Sequence, residues 1–312
     1  MCFLGCGTLG TAILSGILDS LSNNDTSASS DSPLPPSNHP KNFIACVRSP
    51  SSASRIKSAL PQSATHLVKV LQNSNLEAIQ SSSIILLGCK PYMASEILST
   101  PGTREALSGK LLISILAGVS VSDLETILYS SPSTSTSQIS SESRCRIVRA
   151  MPNTAAVHRE SMTVISTPPP TLPLSDSHLS LLNWIFNSIG QITHLPSNLM
   201  DVCTALCGSG PAFCALVLES LADGAVAMGL PRKEANLMAA QTMKGAASLV
   251  LNGEHPAIVR EKVSTPGGCT IGGLLVLEEG GVRGQVSRAV REATVVAGLL
   301  GSGEKGVNGT RR

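Results

Sequence analysis

The residues of this chain best suited to chemistry are glycines. A short apolar run over Met1–Leu4 feeds into Gly5-Cys6-Gly7-Thr8-Leu9-Gly10, and a helical pattern follows at once. In that order the first glycine permits a tight turn, the second lets backbone N–H groups approach a pyrophosphate, and the third lets helix and strand pack closely. A dinucleotide's diphosphate would rest on the positive end of a helix over Thr8–Leu18. Gly5, Gly7, Thr8, Leu9 and Gly10 are then its cofactor-binding residues.

The next candidates stand where other apolar runs end. An NAD site would place an acid on the ribose hydroxyls after the second strand, but Phe43–Val47 ends in Arg48-Ser49-Pro50. A cation and a hydroxyl suit a 2′-phosphate, which favours NADPH, with NADH as the alternative donor. The run Ile84–Gly88 leads into Cys89-Lys90-Pro91. The carboxyl end of a parallel strand borders the ligand crevice, so Lys90 is placed to face a phosphate or the nicotinamide ribose. A cation at a helix start opposes the helix dipole, which argues for the crevice role. Asn153, within Met151-Pro152-Asn153-Thr154, has two open readings: orienting a nicotinamide amide, or holding the junction of sheet and helix. Ser264-Thr265-Pro266-Gly267-Gly268-Cys269-Thr270 stands before a helix, and free N–H groups of such a loop make a carboxylate pocket. Thr270 is either that helix's N-cap, the reading spacing alone favours, or a hydroxyl aimed at a substrate nitrogen.

These residues need a scaffold to hold them. Residues 1–166 alternate strand-like runs with helical patterns, the runs being Cys2–Leu4, Phe43–Val47, Leu67–Leu71, Ile84–Gly88, Leu111–Leu116, Arg146–Ala150 and Met162–Ser166. Ile84–Leu87 and Leu111–Ile115 are apolar on both faces, as a parallel strand covered by helices on both sides must be. The expectation is an α/β fold with a Rossmann-type doubly wound sheet over residues 1–178. Ser20–Pro40 and Ser130–Ser143 lack the apolar residues that would offset ordering entropy and read as flexible surface insertions. Pro168–Pro170 and Pro173 mark a further loop or a boundary.

From Leu179 the pattern is helical: Leu179–Ile189, Pro211–Met228, Arg232–Leu251, Ile271–Glu279 and Val282–Leu300, with Gln191–His194 the last strand. Gly208, Gly210, Ala212, Ala215, Ala222 and Gly224 allow close helix–helix approach. A helical region this long, with so little aromatic bulk, is expected to fill its core with a second copy, the alternative being a compact monomeric bundle. Residues 179–312 are therefore read as an all-helical dimerisation and substrate domain.

Composition excludes more than it assigns. The 312 residues, 42% of them hydrophobic, suffice for one or two domains with real cores. A net charge of +2, with one Trp, two Tyr and four Phe, offers neither a basic surface nor stacking platforms for nucleic acid. The nine cysteines are odd in number and lie mostly in apolar runs, as at Cys46, Cys89 and Cys214. Neither Cys2/Cys6 nor Cys203/Cys207 has CxxC spacing, and the six histidines form no pattern with them. No metal site or disulfide framework is expected, and buried thiols in the reducing cytoplasm fit better. No signal peptide is expected, because a basic n-region and long apolar h-region are missing. No uninterrupted apolar stretch reaches the roughly eighteen residues of a spanning helix, so a membrane partner is not expected. The first strand is short for a central one, and the natural N-terminus is expected to carry a residue or two more.

Taken together, these residues resemble the pyrroline-5-carboxylate reductase family. The likeness is carried by Asp201-Val202-Cys203-Thr204-Ala205-Leu206-Cys207-Gly208-Ser209-Gly210-Pro211-Ala212, by Val263-Ser264-Thr265-Pro266-Gly267-Gly268-Cys269-Thr270 and by Leu277-Glu278. Lys90-Pro91, Ala117-Gly118-Val119 and Met151-Pro152-Asn153-Thr154 match the family pattern in order. The resemblance covers nearly the whole chain outside the two Ser-rich segments. It implies reduction of the C=N bond of 1-pyrroline-5-carboxylate to L-proline with NAD(P)H, the last step of proline biosynthesis. It also implies a homodimer or higher oligomer, with the active site where one subunit's helical domain meets a nucleotide domain.

By the same resemblance Arg48 and Ser49 would meet the 2′-phosphate, Asn75 the adenine side, and Lys90 and Pro91 the nicotinamide half. The substrate carboxylate would lie on Gly267, Gly268, Cys269 and Thr270 with help from Thr265. Thr270 would hydrogen-bond the ring nitrogen and Glu254 would approach it from the side. Thr270, Glu254 and Lys90 are thus the implied catalytic residues. Gly88-Cys89 stands where the family usually carries Ala, Val or Ser, and Cys269 where it often carries Ala or Thr; a buried, inert thiol is expected at 269. A substituted pyrroline carboxylate as substrate, or a catalytically silent NADP-binding regulator, are the competing readings.

Overall fold

The structure, a computed structural model, describes residues 1–23, 35–129, 143–168 and 173–301. Alternation of side chains builds its sheet. In β1 (Cys2–Leu4), Phe3 faces one side while Cys2 and Leu4 face the other. β4 (Ile84–Leu87) and β5 (Leu111–Ser114) divide in the same way, Leu86 and Ile113 opposite Ile85, Leu87 and Leu112. A strand apolar at every position must be covered twice. One cover is α1 (Thr8–Asn23), α2 (Pro50–Ala59) and α7 (Asp176–Asn187), which bury Ile13, Ile17, Ile56, Trp184 and Phe186 on the Phe3 face. The other is α3 (Asn75–Gln80), α4 (Ala94–Leu98), α5 (Thr103–Leu107) and α6 (Val121–Tyr129), contributing Ile79, Ile97, Leu107 and Leu124.

The remaining strands are β2 (Phe43–Val47), β3 (Val68–Gln72), β6 (Arg146–Met151), β7 (Ser161–Thr167) and β8 (Gly190–Pro196). The sheet order is β3-β2-β1-β4-β5-β6-β7-β8. Pairing is parallel from β3 to β6; β6 meets β7 antiparallel, and β7 and β8 run parallel to each other. The order reverses between β1 and β4, and a crevice for ligand opens beyond the carboxyl ends of strands at such a point. The doubly wound sheet expected from the sequence is therefore present, with strand ends displaced by a residue or two.

Several expectations need correction. Ser20–Asn23, assigned to an insertion, form the last turn of α1. Residues 24–34, 130–142 and 169–172, which include most of the expected Ser-rich insertions and part of the proline loop, lie outside the described residues. The chain divides into two compact units at Gly208, not near 178. The reason is packing: α7 buries Trp184 and Phe186 in the sheet's core, and β8 pairs along the whole of β7. A 3₁₀ turn (Ser197–Leu199), α8 (Met200–Cys203) and a π-helical turn (Thr204–Gly208) follow, none of them foreseen.

The second unit runs from Ser209 to Ala293. It holds α9 (Gly210–Ala227), α10 (Arg232–Leu251), α11 (Pro256–Val263), α12 (Cys269–Glu279) and the first part of α13 (Val282–Gly301). Helix α11 was not foreseen; it is eight residues long and none of them is buried. α9 and α10 pack through small side chains, with Ala222, Ala235 and Ala239 buried at their contact. No other described residue of this unit is buried. Leu216, Leu221, Met228, Leu237, Met238, Leu275 and Val276 are exposed, and so is Cys214, which was expected inside. Taken alone, the unit leaves most of its large apolar side chains exposed. By length and composition alone, Ser197–Ala227 is long and apolar enough to cross a membrane, which corrects the expectation that no helix is.

Candidate functional site

Beyond the ends of β1 and β4 lies a cavity of about 1060 Å³. Its wall contains Gly5, Gly7, Thr8, Leu9, Gly10, Arg48, Ser49, Asn75, Lys90 and Pro91, so these residues named from the sequence come together. Gly5 has φ +82°, and a Cβ there would sit 2.6 Å from Cys89 Cα. Both the turn and the close pass of the two strand ends require glycine. Gly7 faces open space, with nothing within 4 Å of where a Cβ would be. Its carbonyl accepts from Thr11 N (2.9 Å) and Thr11 Oγ1 (2.8 Å), which starts α1. The amides of Thr8, Leu9 and Gly10 then open the helix without a preceding turn to accept them. The packing role assigned to Gly10 is not required: a Cβ there would meet Cys6 Sγ and Gly5 O at an ordinary 3.6 Å. The glycine that α1 needs for packing is Gly16, where a Cβ would fall 2.7 Å from Ile189 Cγ2 and from Ser188 O.

At the other end of the cavity, Ser49 caps α2 by accepting from Ser52 N at 3.2 Å. Asn75 opens α3. Sequence reasoning missed Ser52 and Arg55 in this wall, and also the apolar Met93, Ile97, Ile115 and Val157. The side chains of Arg48, Arg55 and Lys90 have no hydrogen-bond or ion-pair partner among the described residues. The only acid in the wall is Glu96. The cavity wall therefore carries three cations against one carboxylate, and none of the three is paired among the described residues. Cys6 and Cys89 also line it, and burial pushes both thiols up to about 11, so they stand protonated rather than as nucleophiles.

Asn153 takes the junction reading. It lies outside the cavity wall, its Oδ1 accepts from Ala155 N (3.0 Å), and its Nδ2 donates to Cys207 O (3.0 Å). That last carbonyl belongs to the π-helical turn, where a carbonyl released from the helical ladder needs a donor. Next to it, the 3₁₀ turn Thr154–His158 brings Thr154 and Val157 into the cavity wall and ends at Arg159, at φ +62°. Arg159 donates to Ala12 O, Ala156 O and Ser15 Oγ at 3.1–3.3 Å and to the Asp19 carboxylate. It ties this turn to α1, a role no sequence pattern announced.

In the second unit the glycine-rich loop precedes α12. Thr265 Oγ1 lies over Gly268, where a Cβ would come within 2.4 Å of it. Gly268 N donates to Thr265 O (3.0 Å), so this amide is spent inside the loop. The N-cap of α12 is Gly268, which corrects the cap reading for Thr270. Thr270 stands in the first turn, half-buried, and its hydroxyl has no partner among the described residues. Gly267 takes φ +68°. Cys269 is exposed rather than buried. Glu254, just before α11, accepts from Lys262 Nζ at 2.7 Å, and Lys262 ends the same helix.

Residues 197–299 match the family model "pyrroline-5-carboxylate reductase dimerisation", and residues 1–118 match "NADP oxidoreductase coenzyme F420-dependent". A protein of Lophium arboricola named pyrroline-5-carboxylate reductase is 59% identical over 99% of this chain and 95% of its own length. This chain belongs to the pyrroline-5-carboxylate reductase family. A Schizosaccharomyces pombe member of the family is 41% identical over 96% of this chain and 98% of its own length. A crystal structure of the Plasmodium falciparum pyrroline carboxylate reductase with NADP bound superposes with a TM-score of 0.73, at 27% identity, over 96% of this chain and 97% of that one. Within this family member, every cavity residue except Thr154 and Val157 falls inside the NADP oxidoreductase match. The exposed apolar faces of α9, α10 and α12 fall inside the dimerisation match. An NADP dinucleotide fits the cavity: it is open at Gly7, large enough for the extended molecule, and lined by cations that have no partner among the described residues.

Proposed function

We propose that this chain reduces the C=N bond of 1-pyrroline-5-carboxylate to give L-proline, with NADPH as the donor and NADH as the alternative. The observation that carries the proposal is the 59% identity to a named pyrroline-5-carboxylate reductase along 99% of the chain. NADPH, when bound, supplies the hydride. Gly5, Gly7, Thr8, Leu9 and Gly10 hold the diphosphate, Arg48 and Ser49 the 2′-phosphate, Asn75 the adenine side, and Lys90 and Pro91 the nicotinamide half. The support is their joint presence in one cavity wall.

The protonated cyclic imine is already electrophilic, so the protein's task is to orient it and stabilise its nitrogen. The substrate carboxylate lies on the glycine-rich loop, with the Cys269 and Thr270 amides at the start of α12 as its open donors, because Gly268 N is already committed. The Thr270 hydroxyl holds the ring nitrogen, supported by its lack of any other partner among the described residues. Glu254 approaches from the side with its charge balanced by Lys262. The protein works as a homodimer or larger oligomer and, with nine free cysteines, in the cytoplasm. Oxidation of NADPH and of NADH, each measured with 1-pyrroline-5-carboxylate, tests the reading. NADPH bound but not consumed would leave a silent regulator, and faster turnover of a substituted pyrroline carboxylate would reassign the substrate.

A further inference from the structure

The cavity carries one more cation than the assigned roles use. Arg48 and Arg55 both line it, neither guanidinium has a protein partner among the described residues, and Ser49 and Ser52 lie in the same wall. Ser49 caps α2, and Ser52 and Arg55 follow it at intervals of three residues, which places all three along one side of that helix. Two unpaired guanidinium groups in one cavity wall repel each other, and an anion between them removes that cost. The diphosphate already has the amides at the start of α1, so the anion left to satisfy is the one beyond the end of β2.

We propose that Arg55 is the second cation of the 2′-phosphate subsite and the residue that sets this chain's preference for the phosphorylated dinucleotide. The inference rests on the NADPH reading above and adds a residue to it. Arg48, at the end of β2, and Arg55, two turns along α2, close on the phosphate from two sides, with Ser52 contributing a hydroxyl.

Titration calorimetry with NADP⁺, NAD⁺, adenosine 2′,5′-bisphosphate and 5′-AMP tests this on the intact protein and on Arg55→Ala and Arg55→Lys. Arg55 is exposed, so neither variant disturbs the core. Losing a charge-assisted contact should raise the Kd of NADP⁺ and the bisphosphate about tenfold in Arg55→Ala, and that of NAD⁺ and 5′-AMP less than about twofold. Arg55→Lys should fall between, because lysine keeps the charge and loses the fork. Equal weakening of NADP⁺ and NAD⁺ would move Arg55 to the diphosphate and overturn the proposal, as would unchanged binding of both. Failure of the unsubstituted protein to bind any of the four would overturn the NADPH reading itself, a result no Arg55 variant can mimic.

Discussion

At the scale of single residues, the glycines of the first loop are not equivalent. Gly5 combines a left-handed φ with a neighbour 2.6 Å from any Cβ, and Gly10 has neither. Gly5→Ala should therefore lower stability by roughly 1–3 kcal/mol, while Gly10→Ala should fold normally, or slightly better, because alanine favours helix. Urea denaturation of the two variants checks the order, and equal losses would contradict it. Thr270 tests the other loop. Because its hydroxyl caps nothing, Thr270→Ala should lower kcat by about tenfold or more, the size of one lost hydrogen bond to a charged group. NADPH affinity and thermal stability should hold, and Thr270→Ser should recover most of the rate. A fall in stability of the same size would return Thr270 to a structural role.

At the scale of elements, the brace between α1 and the turn Thr154–His158 is what keeps two parts of the cavity wall in register. Arg159 supplies it while sitting in a backbone region that costs a non-glycine residue about 1 kcal/mol. Its bonds must outweigh that cost, although the ion pair with Asp19 is partly exposed and its share is discounted accordingly. Arg159→Ala loses the bonds and keeps the strain; Arg159→Gly loses the bonds and sheds the strain. The glycine variant should thus be less destabilised than the alanine variant, with both below the parent by about 1–2 kcal/mol. If chemical denaturation ranks alanine above glycine, the strain argument fails.

At the scale of the whole molecule, the second unit buries only Ala222, Ala235 and Ala239, so its apolar faces need a cover. In the proposed homodimer another copy of the chain provides it, in line with the dimerisation match. The thermal midpoint should rise with protein concentration, and Leu216→Asp combined with Leu237→Asp should shift sedimentation toward the monomer. A parent protein that sediments as a monomer at every concentration would exclude this cover.

The first unit's buried thiols add a dependence on pH. Burial pushes Cys2 and Cys6 up to about 11 and Cys46 and Cys145 up to about 12. A folded pKa above the unfolded one means that the folded state holds the proton longer. The stability from these groups is therefore complete below about pH 9 and is lost as pH rises through the folded values. Melting temperature should be level below about pH 9 and fall beyond it, less steeply in Cys46→Ala. An identical slope in that variant would remove the thiols from the explanation.

Much of this molecule was legible in its residues because the signals are local. A strand apolar at every position, such as Ile84–Leu87, announces cover on both sides, and a glycine-rich turn between strand and helix announces an anion. Small residues along α9 and α10 announced close helix packing. Other features depend on atoms far apart in the chain. Arg55 and Arg159 look like ordinary surface cations until the fold sets one in a cavity wall and the other across α1. Gly16 looks like a weak point in a helix until Ile189 and Ser188 arrive against it. Cys214 looks like a core residue, and only the count of what each unit buries shows that its helix still needs a partner. Sequence by itself determined the strands of the sheet, most of the longer helices and the two glycine-rich loops before helices, since periodicity and turn chemistry act over a few residues. The tertiary structure alone decided which charges stay unpaired and which apolar faces stay open, since both depend on what the rest of the chain brings, or fails to bring, against them.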